Sequence, residues 1–421
     1  MLAILLARER KKPTMTLHPN RKIKILFDGQ QLAKAFMQQQ TGIFRVSDEV
    51  FRRLCRRSDV EIYFLMTQNK GEPERYLASI GHPEVPVVWM PKLLRTTKYH
   101  NIFHKVDGGL LRLVMPFFYG DKLRKFDVYF SPYPPISPVV YRCGIKTVCI
   151  CHDVIPFQFP HFCAVYGNGP AFKDYVKKMA ADFVFFVSQS VRRDFLTYRM
   201  DFPYEKTAVI YPGADGIDVR TGISNTEKLA VRKKYKIPME RYILVLSEGN
   251  PRKNFIHIIR SFLKYLRDFE DDKVSLVVGG RKLPKYDYVK IVSDLLEQYS
   301  DRIVITGHIA NEDLHAIYEG ASLFLYPSLY EGFGLPLLEA MMHGVPVITA
   351  NNSSLLEVCK DAAVCVSGFD IAETANAINR ILSDDIYADQ LRQKGFRRVK
   401  IFSFDTMVSE MMEKVYTVIH N

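Results

Sequence analysis

The sequence predicts an α/β protein with two doubly wound parallel sheets. Three observations carry that prediction. Short runs rich in Val and Ile recur along the chain, apolar at consecutive positions, as strands buried on both faces are. Helical stretches of ten or more residues lie between them. The chain has 421 residues, enough for two to three domains at roughly 150 residues each. Its 48% apolar and 25% charged residues are ordinary for a globular protein.

Residues 1–20 open with MLAILLARERKK, whose charges follow the short apolar stretch. No small-residue cleavage site comes after, so this reads as a ragged extension or an alternative start ahead of Met15. A short membrane-touching helix is the other option. KIKILFD (22–28) is the first strand, GIFRVSDEVFRRLCRR (42–57) a helix and EIYFLM (61–66) the next strand. KTVCICHD (146–153), FVFFVSQS (183–190) and TAVIYPGAD (207–215) complete the strands read in a first domain at 21–215. Residues 216–240 are polar and charged and read as a linker. The scheme then repeats over 241–401 with RYILVLSE (241–248), VSLVVGG (274–280), RIVITGH (302–308), SLFLYPS (322–328), VPVITA (345–350) and AAVCVS (362–367). The last stretch, 402–421, holds an amphipathic helix at 402–419 with no strand after it to feed.

No apolar run approaches the ~18–20 residues that span a bilayer. The seven Cys are odd in number and show no CxxC pair. Cys149 and Cys151 alternate within a strand pattern, as small hydrophobes in a reducing, cytoplasmic setting do. The net charge of +12 is uneven: residues 1–215 carry 32 Lys and Arg against 19 Asp and Glu, and residues 216–421 carry 26 against 27. A basic first half points to an anionic partner or to a plain solvated face. Within it, 92–126 interleaves Lys122, Arg124, Lys125 and other cations with Phe103, Phe117, Phe118 and Tyr119. That suits an anionic membrane surface or an amphipathic acceptor; an insertion packed on the first domain is the alternative. No nucleic-acid recognition motif is present.

The most informative segment is SLYEGFGLPLLEAMMHGVPVITA (328–350). A strand ends near Pro327, and a loop with Gly332 and Gly334 leads to a helix with Pro336 near its start and Gly344 past its end. The glycines allow close approach of backbone N–H groups, and a helix N-terminus favours an anion. The helix is apolar nearly all round and therefore buried. Glu339 sits inside it, where a carboxylate needs a partner: ligand hydroxyls, or a structural cation such as Arg. Glu331 lies in the preceding loop, where a single acid also suits a solvated surface, but the two Glu framing a Gly loop between strand and buried helix are together a strong signal of a site. In SEGNPRKNFIHIIRSF (247–262), Arg252 and Lys253 stand at another strand-to-helix turn. Cations there oppose the helix dipole, and a bound diphosphate reverses that sign. His152 stands at the end of a strand, where open α/β sheets bind ligands; a lone His in that pattern also suits a hydrogen-bonded core position.

Together these residues resemble the retaining glycosyltransferases of family 4. Glu331-Gly-Phe-Gly-Leu-Pro-Leu-Leu-Glu339 is similar to their E-x7-E signature, and Arg252-Lys253 to their basic pair. Thr41-Gly42-Ile43 with Arg45 resembles the Gly loop after the first strand, and His152-Asp153 the HD at a strand end. Ser188-Gln189-Ser190 stands where the family has SxxS. Gly213-Ala214-Asp215 resembles the hinge, with Pro212 where Asn is common, and Gly307-His308-Ile309 the nucleobase-lining turn. The resemblance covers about residues 22–420 and is most specific in the second half.

The resemblance implies two Rossmann-like domains facing a cleft, with the terminal helix crossing back to the first. It implies a nucleotide-sugar donor held by Gly42, His308, Ile309, Gly332, Phe333, Gly334 and Leu335. Glu339 is then on the ribose, Glu331 on the sugar, and Arg252 and Lys253 on the diphosphate. His152 approaches the sugar from the other domain. Arg45, Asp153, Lys122, Arg124 and Lys125 fall to the acceptor or membrane side. The acceptor class is a glycan or a lipid-linked diphosphate sugar, at the cytoplasmic membrane face in surface polysaccharide assembly. General resemblance to mannosyl- and rhamnosyltransferases suggests mannose. No DxD pair is visible, so no catalytic metal and no cofactor is expected. A sugar-nucleotide epimerase of the same fold and a catalytically silent scaffold subunit are the alternatives. A dinucleotide-dependent oxidoreductase is disfavoured, since no GxGxxG follows either first strand.

Overall fold

The computed structural model describes residues 21–35, 42–67, 71–90, 119–133, 136, 138–160, 181–215, 220, 222–247, 250–271, 273–280 and 298–421. The first sheet holds β1 (Ile23–Asp28), β2 (Val60–Met66), β3 (Val87–Trp89), β4 (Val128–Ser131), β5 (Lys146–Cys151), β6 (Phe183–Phe186) and β7 (Thr207–Val209). Its order is β3-β2-β1-β4-β5-β6-β7, and every described pairing is parallel. The second holds β8 (Arg241–Leu246), β9 (Val274–Gly279), β10 (Ile303–Gly307), β11 (Leu323–Tyr326), β12 (Val347–Ala350) and β13 (Val364–Val366). Its order is β10-β9-β8-β11-β12-β13, again parallel. In each sheet the chain starts in the middle, winds to one edge, then reverses past the first strand. The reversal leaves a crevice at the carboxyl ends of the strands, β1/β4 in one sheet and β8/β11 in the other.

The central strands are buried along their whole length, as in VYFS of β4 and LFLY of β11. Each fully buried large apolar side chain contributes about 1.5–3 kcal/mol. The short strands β3 and β4 were not among the sequence-read strands. TAVIYPGAD pairs only over Thr207–Val209, because Pro212 has no N–H to offer a ladder.

Part of the 216–240 stretch is a built element. Ser224 caps the helix Asn225–Lys234, accepting from Glu227 N at 3.2 Å. This helix docks on the second sheet's side. Lys228 pairs with Glu319 at 2.9 Å, and Tyr235 donates to Asp313 at 2.8 Å.

The last helix, Phe404–His420, buries Phe404, Met407, Val408, Met411, Met412, Val415 and Val418, a stripe at helical spacing. It returns to the first sheet's side. Asp215 accepts from Phe404 N at 2.6 Å and Ser403 Oγ at 2.9 Å, Arg53 bonds Asp405 at 2.7 Å, and Tyr416 bonds Asp59 at 2.7 Å. Gly213 allows this crossing, since a Cβ there would lie 2.1 Å from Phe404 N. Among the described residues no helix is long and apolar enough to cross a membrane.

Candidate functional site

Two strand-to-helix turns from the second sheet and two from the first meet in the crevice. After β11 the chain runs through Glu331 to Gly334, whose φ of 104° only glycine adopts freely, and enters the helix Leu335–Met342 with Pro in its first turn. Gly344, at φ 67°, follows its end. The loop leans on the first sheet. A Cβ on Gly332 would meet the His152 carbonyl oxygen at 2.0 Å, so no other residue fits there. Ser188 Oγ donates to the Gly332 carbonyl at 2.7 Å. Gly42 opens the helix Gly42–Cys55, and a Cβ on it would lie 3.7 Å from Leu335 Cδ1. The starts of two helices, one from each sheet's unit, therefore lie close together across the crevice.

Glu331 is buried and bears the charge of this loop. Its Oε1 lies 2.6 Å from Arg252 Nη1 and 2.8 Å from Lys253 Nζ, and accepts from the Tyr326 hydroxyl at 2.8 Å. Burial pushes the carboxyl up, but Arg252 and then Lys253 outweigh it and hold it at about 2. Glu331 is an anion at any physiological pH. Arg252 also donates to the Tyr330 carbonyl, and Lys253 to the Tyr326 hydroxyl. Burial opposes the Arg252 charge, and Glu331 more than restores it. Asp153 faces Arg252 as well, so the two cations lie among more than one acid. Arg252 Nε is buried with no acceptor, a donor that a ligand oxygen would satisfy. Asn250 caps this turn, accepting from Arg252 N at 3.0 Å. The Glu331 backbone is pinned by the next helix, Ser353–Cys359: its N–H donates to Ser353 Oγ at 3.1 Å, and Ser354 Oγ donates to its carbonyl at 2.9 Å.

From the first sheet, His152 sits past β5, buried, and donates Nε2–H to the Pro132 carbonyl at 2.7 Å. Burial lowers its pKa to about 4, with the Pro132 bond working against that. The ring is neutral at pH 7, and the Nε2–H tautomer leaves Nδ1 as an acceptor. Asp153 accepts from Ile155 N at 3.1 Å and is raised by burial, with Arg252 opposing.

Glu339 lies one turn inside the Leu335–Met342 helix. Its Oε1 is ion-paired with Arg45 Nη1, and its Oε2 accepts from the Tyr318 hydroxyl at 2.9 Å. Glu339 raises the Arg45 guanidinium pKa, with burial opposing it. Arg45, expected on the acceptor or membrane side, thus reaches across the crevice to the second sheet's buried carboxylate. The helix Gly42–Cys55 starts against Leu335, so its first turn carries Arg45 to Glu339.

Ile309 is buried against Gly279, where a Cβ would meet Ile309 Cδ1 at 2.4 Å, while His308 beside it is exposed. Phe333 and Leu335 are buried, Phe333 against Phe402 with ring centroids 5.5 Å apart. Lys122, Arg124 and Lys125 are exposed. Arg124 is engaged locally, on the Cys143 carbonyl at 3.1 Å and on Asp121. Residues 92–118 of the basic and aromatic stretch, Thr41 of the Gly loop, residues 1–20 and 216–219 lie outside the described residues. Sequence reasoning missed Tyr318, Tyr326, Ser353 and Ser354. A single Tyr in an apolar strand or helix carries no signal of its own; the Ser-Ser pair after VPVITA was visible as a helix start.

Residues 227–398 match the family model described as Glycosyl transferases group 1, and residues 41–216 match Glycosyltransferase Family 4. The serotype-specific mannosyltransferase WbdA of Escherichia coli is 30% identical over 268 residues, covering 62% of this chain and 32% of that protein. The O-antigen chain mannosyltransferase B of Escherichia coli is 32% identical over 193 residues, covering 44% of this chain and 49% of that protein. The chain thus spans about a third to a half of the length of these curated relatives. Among solved structures, Anabaena Alr3699/HepE in complex with UDP and glucose has a TM-score of 0.67 at 18% identity, covering 94% of this chain and 100% of that one. At that identity the likeness shows the fold, two Rossmann-like units facing a crevice.

Proposed function

We propose that this chain, which belongs to the family 4 glycosyltransferases, moves a hexose from a nucleotide sugar to a glycan or lipid-linked diphosphate sugar, with retention and without a metal. The observation that carries this is the cluster at the crevice. Arg252 and Lys253 lie together against Glu331 in the crevice, and the buried Arg252 Nε still lacks an acceptor. A diphosphate oxygen supplies the missing acceptor. As the bond to the sugar breaks, charge grows on the departing diphosphate, and these preorganised donors stabilise it without reorganising. Glu331 is held at its shape by Tyr326, Arg252 and Lys253, with its charge already answered. That suits hydrogen bonding to sugar hydroxyls better than attack on carbon. A same-face transfer, with a leaving-phosphate oxygen as base, needs no protein nucleophile. His152, neutral with Nδ1 as acceptor, receives a sugar hydroxyl from the first sheet's side.

Glu339 takes the ribose hydroxyls, as the paired acids of the E-x7-E signature suggest. Mannose as the sugar, and surface polysaccharide as the product, follow the mannosyltransferase relatives. The acceptor approaches along the basic first half at a cytoplasmic membrane face. The test is a thermal-shift panel of UDP, GDP, ADP and their sugar conjugates. A ligand at ~100 times its dissociation constant adds about 2.7 kcal/mol of stability. No shift with any member would refute a nucleotide-sugar site.

A further inference from the structure

Nucleotide binding and the Arg45–Glu339 ion pair draw on the same carboxylate. Both Glu339 oxygens are taken: Oε1 by Arg45 from across the crevice, Oε2 by Tyr318. The Glu339 side chain is only 8% exposed and that of Arg45 27%. Tyr318 is fully buried behind it. With the carboxylate so enclosed, two ribose hydroxyls and the guanidinium compete for the acceptor positions it has left. Of its two partners, only Arg45 has a route to water. The Tyr318 hydroxyl is locked in the core.

We infer that Arg45 is a latch: it closes the crevice on Glu339, competes with the ribose for that carboxylate, and has to swing away when a nucleotide binds. This rests on the assignment of Glu339 to the ribose. The latch also explains how a buried acid is tolerated in an apolar helix. Arg45 answers its charge whenever the hydroxyls do not, so the carboxylate is never left alone in a low-dielectric site. It links binding to domain geometry as well, because Arg45 rides on a helix of the first sheet's unit and Glu339 on one of the second. Releasing the pair removes one tie across the crevice while the Ser188–Gly332 bond remains.

The test is isothermal titration calorimetry with GDP, UDP and ADP on the wild type, Arg45→Ala, Arg45→Gln, Glu339→Gln and the Arg45→Ala/Glu339→Gln double variant. Circular dichroism first confirms that each folds. Arg45→Gln serves if the alanine variant does not. For whichever diphosphate binds the wild type most tightly, removing Arg45 should lower Kd about tenfold, a change of about 1.4 kcal/mol. Glu339→Gln should raise it, and the double variant should match Glu339→Gln, because the latch has nothing left to hold. Unchanged or weaker binding in both Arg45 variants, with Glu339→Gln weakened, overturns the latch and leaves the ribose assignment standing. Unchanged binding in Glu339→Gln, or no binding of any diphosphate to the wild type, overturns the assignment and the latch together.

Discussion

Replacing Glu331 by Gln keeps the shape of the side chain and removes its charge. That charge answers two partly buried cations, Arg252 Nη1 at 2.6 Å and Lys253 Nζ at 2.8 Å. Burial raises the carboxyl pKa, but the cations outweigh it and bring it to about 2 from an ordinary 4.5. The folded-state value is the lower one. Its contribution to stability is therefore present above about pH 4.5 and lost as pH falls through about 2. A gap of about 2.5 pH units, at ~1.36 kcal/mol each, is about 3 kcal/mol. Removing one partner of a buried ion pair costs a similar ~3–5 kcal/mol. At ~2–4 °C per kcal/mol for a domain of this size, Glu331→Gln should lower Tm by about 6–12 °C at pH 7. The assay is thermal unfolding of wild type and variant by circular dichroism, from pH 7 down to pH 3. The gap in Tm should narrow as pH falls below about 4.5. A gap under about 2 °C at pH 7, or one just as wide at pH 3, would refute the charge cluster as the anchor of the loop.

Three further outcomes are expected. Transfer should survive EDTA, because Arg252 and Lys253 supply the positive charge a metal would bring; loss in chelator with recovery in Mg²⁺ or Mn²⁺ contradicts this. His152 is held neutral, its pKa lowered to about 4 by burial, so its stabilising contribution is full above the unfolded value near 6.5 and fades as pH falls through about 4. The pH–rate profile should accordingly show no inflection near 6.5 that vanishes in His152→Asn, while that variant lowers kcat at every pH. Binding to anionic vesicles should fall with salt and on charge reversal of Lys122 and Lys125, each cation near the surface contributing ~1 kcal/mol; equal binding to neutral vesicles, or none, marks a plain solvated face. Arg124 is less apt for reversal, because it holds the Cys143 carbonyl and Asp121.

Where local pattern decides the structure, the sequence was informative. Pro336 and Gly344 mark the two ends of one helix, and the Val- and Ile-rich runs place eleven strands. VVW at 87–89 is too short to show a period and lies half-buried to exposed at the sheet edge beside β2. VYFS at 128–131 is fully buried but only four residues long. At the site, the residue types that bear charge were visible, but their partners were not. Glu331 read singly as a surface acid; only the fold brings Tyr326, Arg252 and Lys253 onto one of its oxygens. Arg45 and Glu339 are 294 positions apart, and nothing in either segment announces the other. Gly332 was legible as a glycine that permits close approach, but what approaches, the His152 carbonyl, belongs to the other sheet.

The most direct measurement is product analysis. The protein is incubated with GDP-mannose, or with another nucleotide hexose that the thermal-shift panel selects, and a lipid-linked diphosphate sugar. Mass spectrometry then follows the acceptor, and NMR reads the anomeric centre. The acceptor should gain one hexose, nucleoside diphosphate should be released in equal amount, and the new linkage should keep the donor's anomeric configuration. An inverted linkage contradicts retention. Interconversion of the nucleotide sugar without transfer, or binding without release of nucleoside diphosphate, contradicts glycosyl transfer itself.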